Sequence, residues 1–169
     1  MTNEPPVPNP ETLPYRQGVI AFLVDSERKF FLVQKLAYGN NQWDMPGGGL
    51  GEGEDPDIGV LREVEEELGT SGFEIVCKSS RIYKYEWPQD QILKAHEKYG
   101  KWWRGQEKYQ YLVRFTGNKD DIILPADELK QGKWVRYEKL QAHMVFDGQW
   151  EEAKRTIEEF EEKGLLKAK

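Results

Sequence analysis

The sequence predicts an α/β fold in which a mixed β-sheet is flanked by helices on both faces. Segments of strand character come before and after a segment whose apolar residues recur at helical spacing, and a second amphipathic helix follows the last strand. The 169 residues can bury about 70% of their unfolded surface in a single domain. This order of elements places helices on both sides of one sheet.

The beginning of the chain is predicted to be a flexible lead-in. Residues 1–14 are acidic and rich in proline, and they lack the basic and apolar segments of a secretory signal peptide. The domain is therefore expected over residues 15–169.

Three strands are expected next. Residues 15–24 and 29–34 alternate or run apolar on either side of the polar turn 25–28, which is typical of a β-hairpin. Residues 43–46 predict a short strand that ends in the glycine run 47–49, where the backbone must approach another group closely.

A helix follows the glycine run. Asp55 is a favourable N-cap, Pro56 suits the first helical position, and Gly69 suits the position just beyond the helix end. These signals bound the helix from both sides.

The second half of the domain is predicted to contain more strands and one long helix. The segments with strand character are 73–78, 81–87, 109–116 and 133–137. Residues 149–163 predict an amphipathic helix, while 88–106 form a polar excursion long enough to be functional or mobile.

The first helix carries an unusual charge pattern. At about 100° per residue, Glu63, Glu66 and Glu67 fall on one side, opposite an apolar stripe. Like charges at this spacing cost about 0.2–0.5 kcal/mol per pair, and the negative end of the helix dipole adds to that cost. Because bound divalent cations would remove this repulsion, the pattern predicts a metal site for an anionic substrate.

This stretch resembles the Nudix box, the motif that defines the Nudix hydrolases. Gly48, Glu54 and the run Arg62-Glu63-Val64-Glu65-Glu66-Glu67-Leu68-Gly69 have the spacing of that motif. Thr70 is the one departure, because the family prefers an aliphatic residue at this packing position. The resemblance implies an α/β/α sandwich with the box as a loop–helix–loop.

The resemblance also implies a metal centre and its chemistry. Glu63, Glu66 and Glu67 would ligate Mg²⁺, with Mn²⁺ as a possible substitute, and the carbonyl of Gly47 would be a further ligand. Glu63 or an acidic residue from elsewhere would help to deprotonate the attacking water.

Arg62 and Glu54 are expected to support these carboxylates. Arg62 lies four residues before Glu66 and is placed to pair with the cluster and hold it in register. Glu54 is expected to brace the loop against the helix or to reach a metal through water, and we assign it a structural role together with Gly48 and Gly69.

The flanking segments resemble one group of the family, the diadenosine tetraphosphate hydrolases and bacterial RNA pyrophosphohydrolases. The matching segments are Tyr15-Arg16-Gln17-Gly18-Val19, Trp43 with Pro46, and Arg104-Gly105-Gln106 followed by Lys108-Tyr109 with one residue missing. Gly47 departs from the group, which usually has glutamine there. The group also carries a glutamate, serving as distal ligand or base, before a strand that contains tryptophan. Glu128, ahead of Trp134, is the nearest match, and Asp121 is a weaker candidate.

Cationic and aromatic residues near the box are candidates to bind substrate. A chain of phosphates needs several cationic partners, for which Arg16, Lys35 and Lys108 are the candidates. An aromatic platform can stack a nucleobase for about 1–3 kcal/mol. The candidate platforms are Trp102, Trp103 and Tyr109, whereas Tyr83 and Tyr85 are expected to serve in packing.

Composition limits the partners. A net charge of −6 argues against extended nonspecific binding to nucleic acid, so DNA is not an expected partner. No apolar run is long enough to span a bilayer, and the single cysteine, Cys77, suits a reducing cytoplasm. A monomer and a homodimer both remain open.

The leading hypothesis is a divalent-metal-dependent hydrolase that cleaves a phosphoanhydride in a dinucleoside polyphosphate such as diadenosine tetraphosphate. One alternative is the removal of pyrophosphate from the 5′ end of RNA, and another is the hydrolysis of a nucleoside triphosphate or a diphosphoinositol polyphosphate. A catalytically silent nucleotide sensor is an alternative of a different class.

Overall fold

The computed structural model describes residue 3 and residues 5–166. Its strands are β1 (Tyr15–Val24), β2 (Phe30–Lys35), β3 (Gly47–Gly49), β4 (Phe73–Glu86), β5 (Gly105–Phe115) and β6 (Leu129–Val135). Its α-helices are α1 (Pro56–Leu68), α2 (Gln89–Tyr99), α3 (Tyr137–His143) and α4 (Gln149–Glu162). Residues 1, 2 and 4 of the predicted lead-in and residues 167–169 of the predicted domain lie outside the described part.

The strands form one mixed sheet, as the sequence predicts. The order is β4-β5-β1-β2-β6, and β3 also pairs with β1. The central pair, β1 and β5, is parallel, whereas the other pairs are antiparallel. The expected hairpin is present as β1 and β2.

Helices cover both faces of this sheet, which confirms the predicted α/β class. On one face, the apolar stripe of α1 packs with Ala21 of β1, Val33 of β2 and Val113 of β5. On the other face, α3 and α4 pack against a second set of residues that includes Phe22 and Leu32.

Local signals at the ends of α1 act as predicted. The side chain of Asp55 accepts a hydrogen bond from the backbone N–H of Asp57 at 2.8 Å, and Pro56 opens the helix. Gly69 adopts the left-handed conformation with φ of 64°, and its N–H bonds to the carbonyl of Glu65 at 2.9 Å. Glycine adopts this conformation without the steric cost that other residues incur.

Five predicted elements differ from the structure. The short strand lies at residues 47–49 rather than 43–46, because the glycine run itself pairs with β1. The predicted strands 73–78 and 81–87 are one strand with a change of register between Lys78 and Ile82. Much of the excursion 88–106 is helix α2, and Tyr137 begins α3 instead of ending a strand.

The last part of the predicted lead-in contacts the domain. The carbonyl oxygen of Pro14 accepts a hydrogen bond from the backbone N–H of Arg104 at 3.0 Å. The carbonyl oxygen of Glu11 accepts one from the guanidinium of the same arginine at 3.4 Å. This end of the segment is therefore attached beside the start of β5.

Within the described residues, we find no helix whose length and apolar character would let it cross a membrane.

Candidate active site

Arg62 is the centre of the polar network at the box. Its guanidinium forms two hydrogen bonds with the carboxylate of Glu54, at 2.7 and 2.8 Å, and a third with the carbonyl of Gly49 at 3.1 Å. Its remaining nitrogen contacts Glu63 at 3.0 Å and Glu66 at 3.2 Å. One arginine thus ties the loop to α1 and holds two of the three predicted metal-binding carboxylates, because its fork of donors matches carboxylate geometry.

Glu54 is the anchor of this network. Its hydrogen bonds from Arg62 and from the backbone N–H of Gly51 lower the pKa of its carboxyl group to about 2. It therefore stays ionised at neutral pH and braces the loop against the helix, as the sequence predicts.

The glycine run lets the backbone pass directly beside the carboxylates. A Cβ atom on Gly48 would lie 2.5 Å from the carboxyl carbon of Glu63. A Cβ atom on Gly47 would lie 2.1 Å from the carbonyl oxygen of Val19 in β1. No side chain fits on this backbone at position 47, because β3 lies directly against β1 there.

Glu67 is the buried carboxylate of the site. Its residue is only 6% exposed, and its one hydrogen bond among the described residues is a long one, 3.4 Å from the backbone N–H of Gly47. Burial raises its pKa to about 8, and the charge of Glu63 adds to this effect while Lys35 opposes it. Burial also raises the pKa of Glu63. Both groups are carboxylates that a nearby positive charge would stabilise in the ionised form.

The carboxylate and carbonyl oxygens of these residues are of the type that binds divalent cations, but the side chains do not converge on one point. In the part of the chain that the structure describes, no three Asp, Glu, His or Cys side chains are grouped as they would be around a metal ion. Arg62 instead occupies the side chains of Glu63 and Glu66. The weakly bonded carboxylate of Glu67 and the backbone carbonyl of Gly47 are oxygen donors of the kind that hard cations prefer.

The structure separates the two candidates for the distal acid. Glu128 lies in the turn before β6, close enough to Glu63 for its charge to raise the pKa of that residue. Asp121 lies in a 3-10 turn next to Ile123, whose N–H bonds to the carbonyl of Leu68 at the end of α1. Glu128 is therefore the candidate on the side of the carboxylate cluster.

The three predicted phosphate-binding cations lie around Tyr85. The Lys108 ammonium is 5.7 Å from the centre of its ring. Burial and the charge of Asp44 raise the pKa of Tyr85 to about 12, whereas Lys35 and Arg16 oppose the shift. The Lys35 ammonium lies 5.6 Å from the ring centre of Tyr38, which bonds to Asp44, and the guanidinium of Arg16 lies against Gly49 of the glycine run.

Tyr109 does not join Lys108 in this neighbourhood. Consecutive residues of a strand point to opposite faces of the sheet. Tyr109 packs with the core under α1, and the Lys78 ammonium lies 4.6 Å from its ring centre. The prediction that Tyr109 binds substrate beside Lys108 is therefore not consistent with the fold.

The two predicted tryptophans are also in different surroundings. Trp102 stacks on His96 of α2, with ring centres 3.7 Å apart and planes at 11°. Trp103 instead faces the box, where its ring centre is 5.3 Å from the guanidinium carbon of Arg16 and 5.7 Å from the ring of Tyr99. Only Trp103 lines the groove beside the box.

The sequence assigns no site role to four residues that lie near the predicted phosphate-binding cations or near one another, namely Tyr38, Asp44, Tyr85 and Phe146. The hydroxyl of Tyr38 donates to Asp44 at 3.3 Å, and its ring packs edge-to-face on Phe146 at 5.1 Å. Tyr85, which was expected to serve only in packing, donates to Gln106 at 2.8 Å. Asp44 is placed by its β-bridge to Val33 and Phe146 by the loop before α4, so only tertiary structure reveals their position.

The structure thus combines an α/β/α sandwich with a loop–helix–loop that presents glutamates beside a glycine turn. The NUDIX domain family matches residues 14–160. The chain belongs to the Nudix family, and it is a Nudix pyrophosphohydrolase.

Individual relatives and solved structures agree with this assignment. The chain is 34% identical over 130 residues to an RNA pyrophosphohydrolase of Rickettsia bellii, a match that covers 76% of this chain and 79% of the relative. It is 35% identical over 123 residues to the chloroplastic Nudix hydrolase 26 of Arabidopsis thaliana, covering 71% of this chain but only 56% of that protein. The chain therefore spans about half the length of the Arabidopsis relative.

The structural neighbours share the fold. An Ap4A hydrolase of C. elegans in a binary complex has a TM-score of 0.63 at 20% identity, covering 88% of this chain and 98% of the other. The dihydroneopterin triphosphate pyrophosphohydrolase of E. coli has a TM-score of 0.64 at 16% identity, covering 87% and 97%. A bifunctional NMN adenylyltransferase/ADP ribose pyrophosphatase of Francisella tularensis, complexed with AMP and a Mn ion, has a TM-score of 0.56 at 19% identity, covering 87% of this chain and 42% of that one.

Proposed function

We propose that the protein hydrolyses a phosphoanhydride of a dinucleoside polyphosphate, such as diadenosine tetraphosphate, with the help of a divalent cation. The observation that carries this proposal is the set of cations around Tyr85, beside the glutamates of α1. Arg16, Lys35 and Lys108 can bind successive phosphates, because several cationic partners are needed to hold a polyphosphate.

A nucleoside has aromatic surfaces to bind at the same site. Tyr85 is half-buried next to Lys108, and Phe146 is exposed against Tyr38. A nucleobase stacked on one of these rings would gain about 1–3 kcal/mol. The polyphosphate of such a nucleotide would then lie toward Glu63 and the other carboxylates.

The cation would be held by the box. We propose Glu63, Glu66, Glu67 and the carbonyl of Gly47 as its ligands, and Mg²⁺ as the physiological ion with Mn²⁺ as a substitute. When bound, a divalent cation neutralises phosphate oxygens and acidifies water. The Francisella structure, which shares this fold over 42% of its chain, contains a Mn ion, and this is in line with the use of a divalent cation.

The residues of the chain perform the remaining tasks. Arg62 orients Glu63 and Glu66 through its contacts at 3.0 and 3.2 Å. Glu63 or Glu128 accepts a proton from the attacking water as its oxygen bonds to phosphorus. The bond between that phosphorus and the bridging oxygen breaks, and two mononucleotides leave.

Removal of pyrophosphate from the 5′ end of RNA is the second candidate. It is favoured by the identity of 34% to the rickettsial RNA pyrophosphohydrolase. The net charge of −6 favours the small substrate, since RNA beyond its first nucleotides would meet a negative surface. We further propose a cytoplasmic location, consistent with the single cysteine, and one catalytic domain over residues 15–169.

The two candidates are distinguished by their specificity constants. Wild-type protein is incubated in Mg²⁺ with diadenosine tetraphosphate and, separately, with triphosphorylated RNA, and kcat/KM is measured for each. We expect the dinucleotide to be the better substrate. Turnover of RNA without turnover of diadenosine tetraphosphate would contradict the proposal.

A further inference from the structure

A groove lies between the box loop and the end of α2. Its walls are the box loop from Gly49 to Glu54, Arg62, and the segment that follows α2. We call it the α2 groove, and it has a volume of about 510 Å³. This is within the usual range for sites that bind small molecules.

Aromatic rings and a guanidinium build one wall of the α2 groove. The guanidinium carbon of Arg16 lies 4.6 Å from the ring centre of Tyr99 and 5.3 Å from that of Trp103. Tyr99 and Trp103 also contact each other edge-to-face at 5.7 Å. Tyr99 is 43% exposed, so a ring fixed in place by its neighbours presents its free surface to the groove.

The charge of the α2 groove suits a ligand that carries phosphate. Arg62 offsets the charge of Glu54, with which it forms two hydrogen bonds. Among the described residues that line the groove, this leaves Arg16 and Lys101 as cations against the single carboxylate of Glu52. The aromatic rings suit the neutral base of a nucleotide, and the excess of cations suits its phosphate.

The α2 groove is continuous with the catalytic carboxylates. Arg62 lines the groove and at the same time contacts Glu63 and Glu66. Arg16 lines it as well, and its guanidinium lies against Gly49 of the glycine run. The aromatic wall of the α2 groove therefore lies next to the carboxylates of the box.

We propose that the α2 groove binds the second nucleoside of a dinucleoside polyphosphate. Its base stacks on Tyr99 or Trp103, and Arg16 and Lys101 contact the adjoining phosphates. The groove thereby selects a substrate with two nucleosides over a mononucleotide with the same number of phosphates. This inference rests on the proposed function.

Two substrates that differ only in the second nucleoside test the proposal. The kcat/KM of diadenosine tetraphosphate and of adenosine 5′-tetraphosphate is measured for wild type, Tyr99→Leu and Trp103→Leu. Tyr137→Leu is the matched control, since Tyr137 packs on Trp150 at 6.0 Å and lies outside the groove. We expect the two groove variants to lose between about 5-fold and about 150-fold on the dinucleotide, the scale of a lost base stack, with no change on the mononucleotide.

The other possible results contradict either the proposal for the α2 groove or the proposed function. If wild type turns over diadenosine tetraphosphate but the groove variants lose nothing, or lose equally on both substrates, the α2 groove does not bind the second nucleoside. If the variants lose activity on a triphosphorylated dinucleotide RNA and not on diadenosine tetraphosphate, the occupant is RNA and the proposal is wrong. If wild type does not turn over diadenosine tetraphosphate at all, it is the proposed function that fails. Because Tyr99 is partly exposed, Tyr99→Leu is expected to fold, and thermal unfolding of this variant checks that it does.

Discussion

Replacing Gly48 by alanine should separate catalysis from stability. The added Cβ would lie 2.5 Å from the carboxyl carbon and one carboxylate oxygen of Glu63, and 2.7 Å from the other oxygen. The carboxylate must therefore move by about 1 Å, and a misplacement of about 1 Å can cost roughly 100-fold in rate. The same movement would strain the 3.0 Å contact with Arg62. We expect kcat to fall by about that factor.

The variant should still fold. The obstructing group is the end of a flexible side chain, so the free energy of unfolding should change by no more than about 1 kcal/mol. The assay is steady-state hydrolysis at saturating Mg²⁺, with urea unfolding on the same preparations. Gly39→Ala is the matched control, because its Cβ would find no atom nearer than 3.5 Å. An unchanged kcat in Gly48→Ala would refute the account of Glu63 and its position.

Two further substitutions test the supporting networks. Arg62→Lys keeps the charge but cannot form the paired bonds to Glu54 at 2.7 and 2.8 Å. We therefore expect kcat to drop by at least about 10-fold. Full activity of this variant at saturating Mg²⁺ would show that the paired hydrogen bonds of the guanidinium are not needed. Burial alone would raise the pKa of Glu159, but hydrogen bonds from Ser79, from the backbone of Ser80 and from Lys163 outweigh it and hold this pKa at about 2. Because the folded-state pKa is depressed, this carboxylate stabilises the fold by about 3 kcal/mol above pH 4.5, and the contribution is lost as pH falls from about 4.5 through 2. Urea unfolding of wild type and Glu159→Gln from pH 6 to pH 2 should give a stability difference that shrinks over this window, whereas a constant difference would contradict the linkage.

Helix α1 could be predicted in detail because its signals are local. Asp55, Pro56 and Gly69 act through bonds to residues a few positions away, and these bonds form in any tertiary context. Helix α2 has fewer such signals: Gly100 ends it in the left-handed conformation, but Pro88 offers no side-chain cap and only Ile92 and Ala95 are buried along it. A short polar helix held by two apolar contacts resembles a loop in sequence.

The composition of the site could be predicted better than its arrangement. The box identified Glu67 as a carboxylate of the site, but its burial depends on the packing of β3 and α1. Lys108 and Tyr109 were assigned to the same site, although strand alternation separates them once the register of β5 with β1 is known. Phe146 reaches the site from a loop more than 75 positions after Glu67, a distance over which no local pattern carries information.

The most direct test of the account measures the dependence of hydrolysis on the cation and on its ligands. Rates of diadenosine tetraphosphate hydrolysis are recorded for wild type, Glu66→Gln and Glu67→Gln after treatment with EDTA and during titration with Mg²⁺. We predict that wild type is inactive in EDTA and recovers with Mg²⁺, and that each variant remains at least about 100-fold slower at saturating Mg²⁺, the scale of losing a placed charge. Variants that hydrolyse the substrate at the wild-type rate would contradict the assignment of the box glutamates as the catalytic metal site.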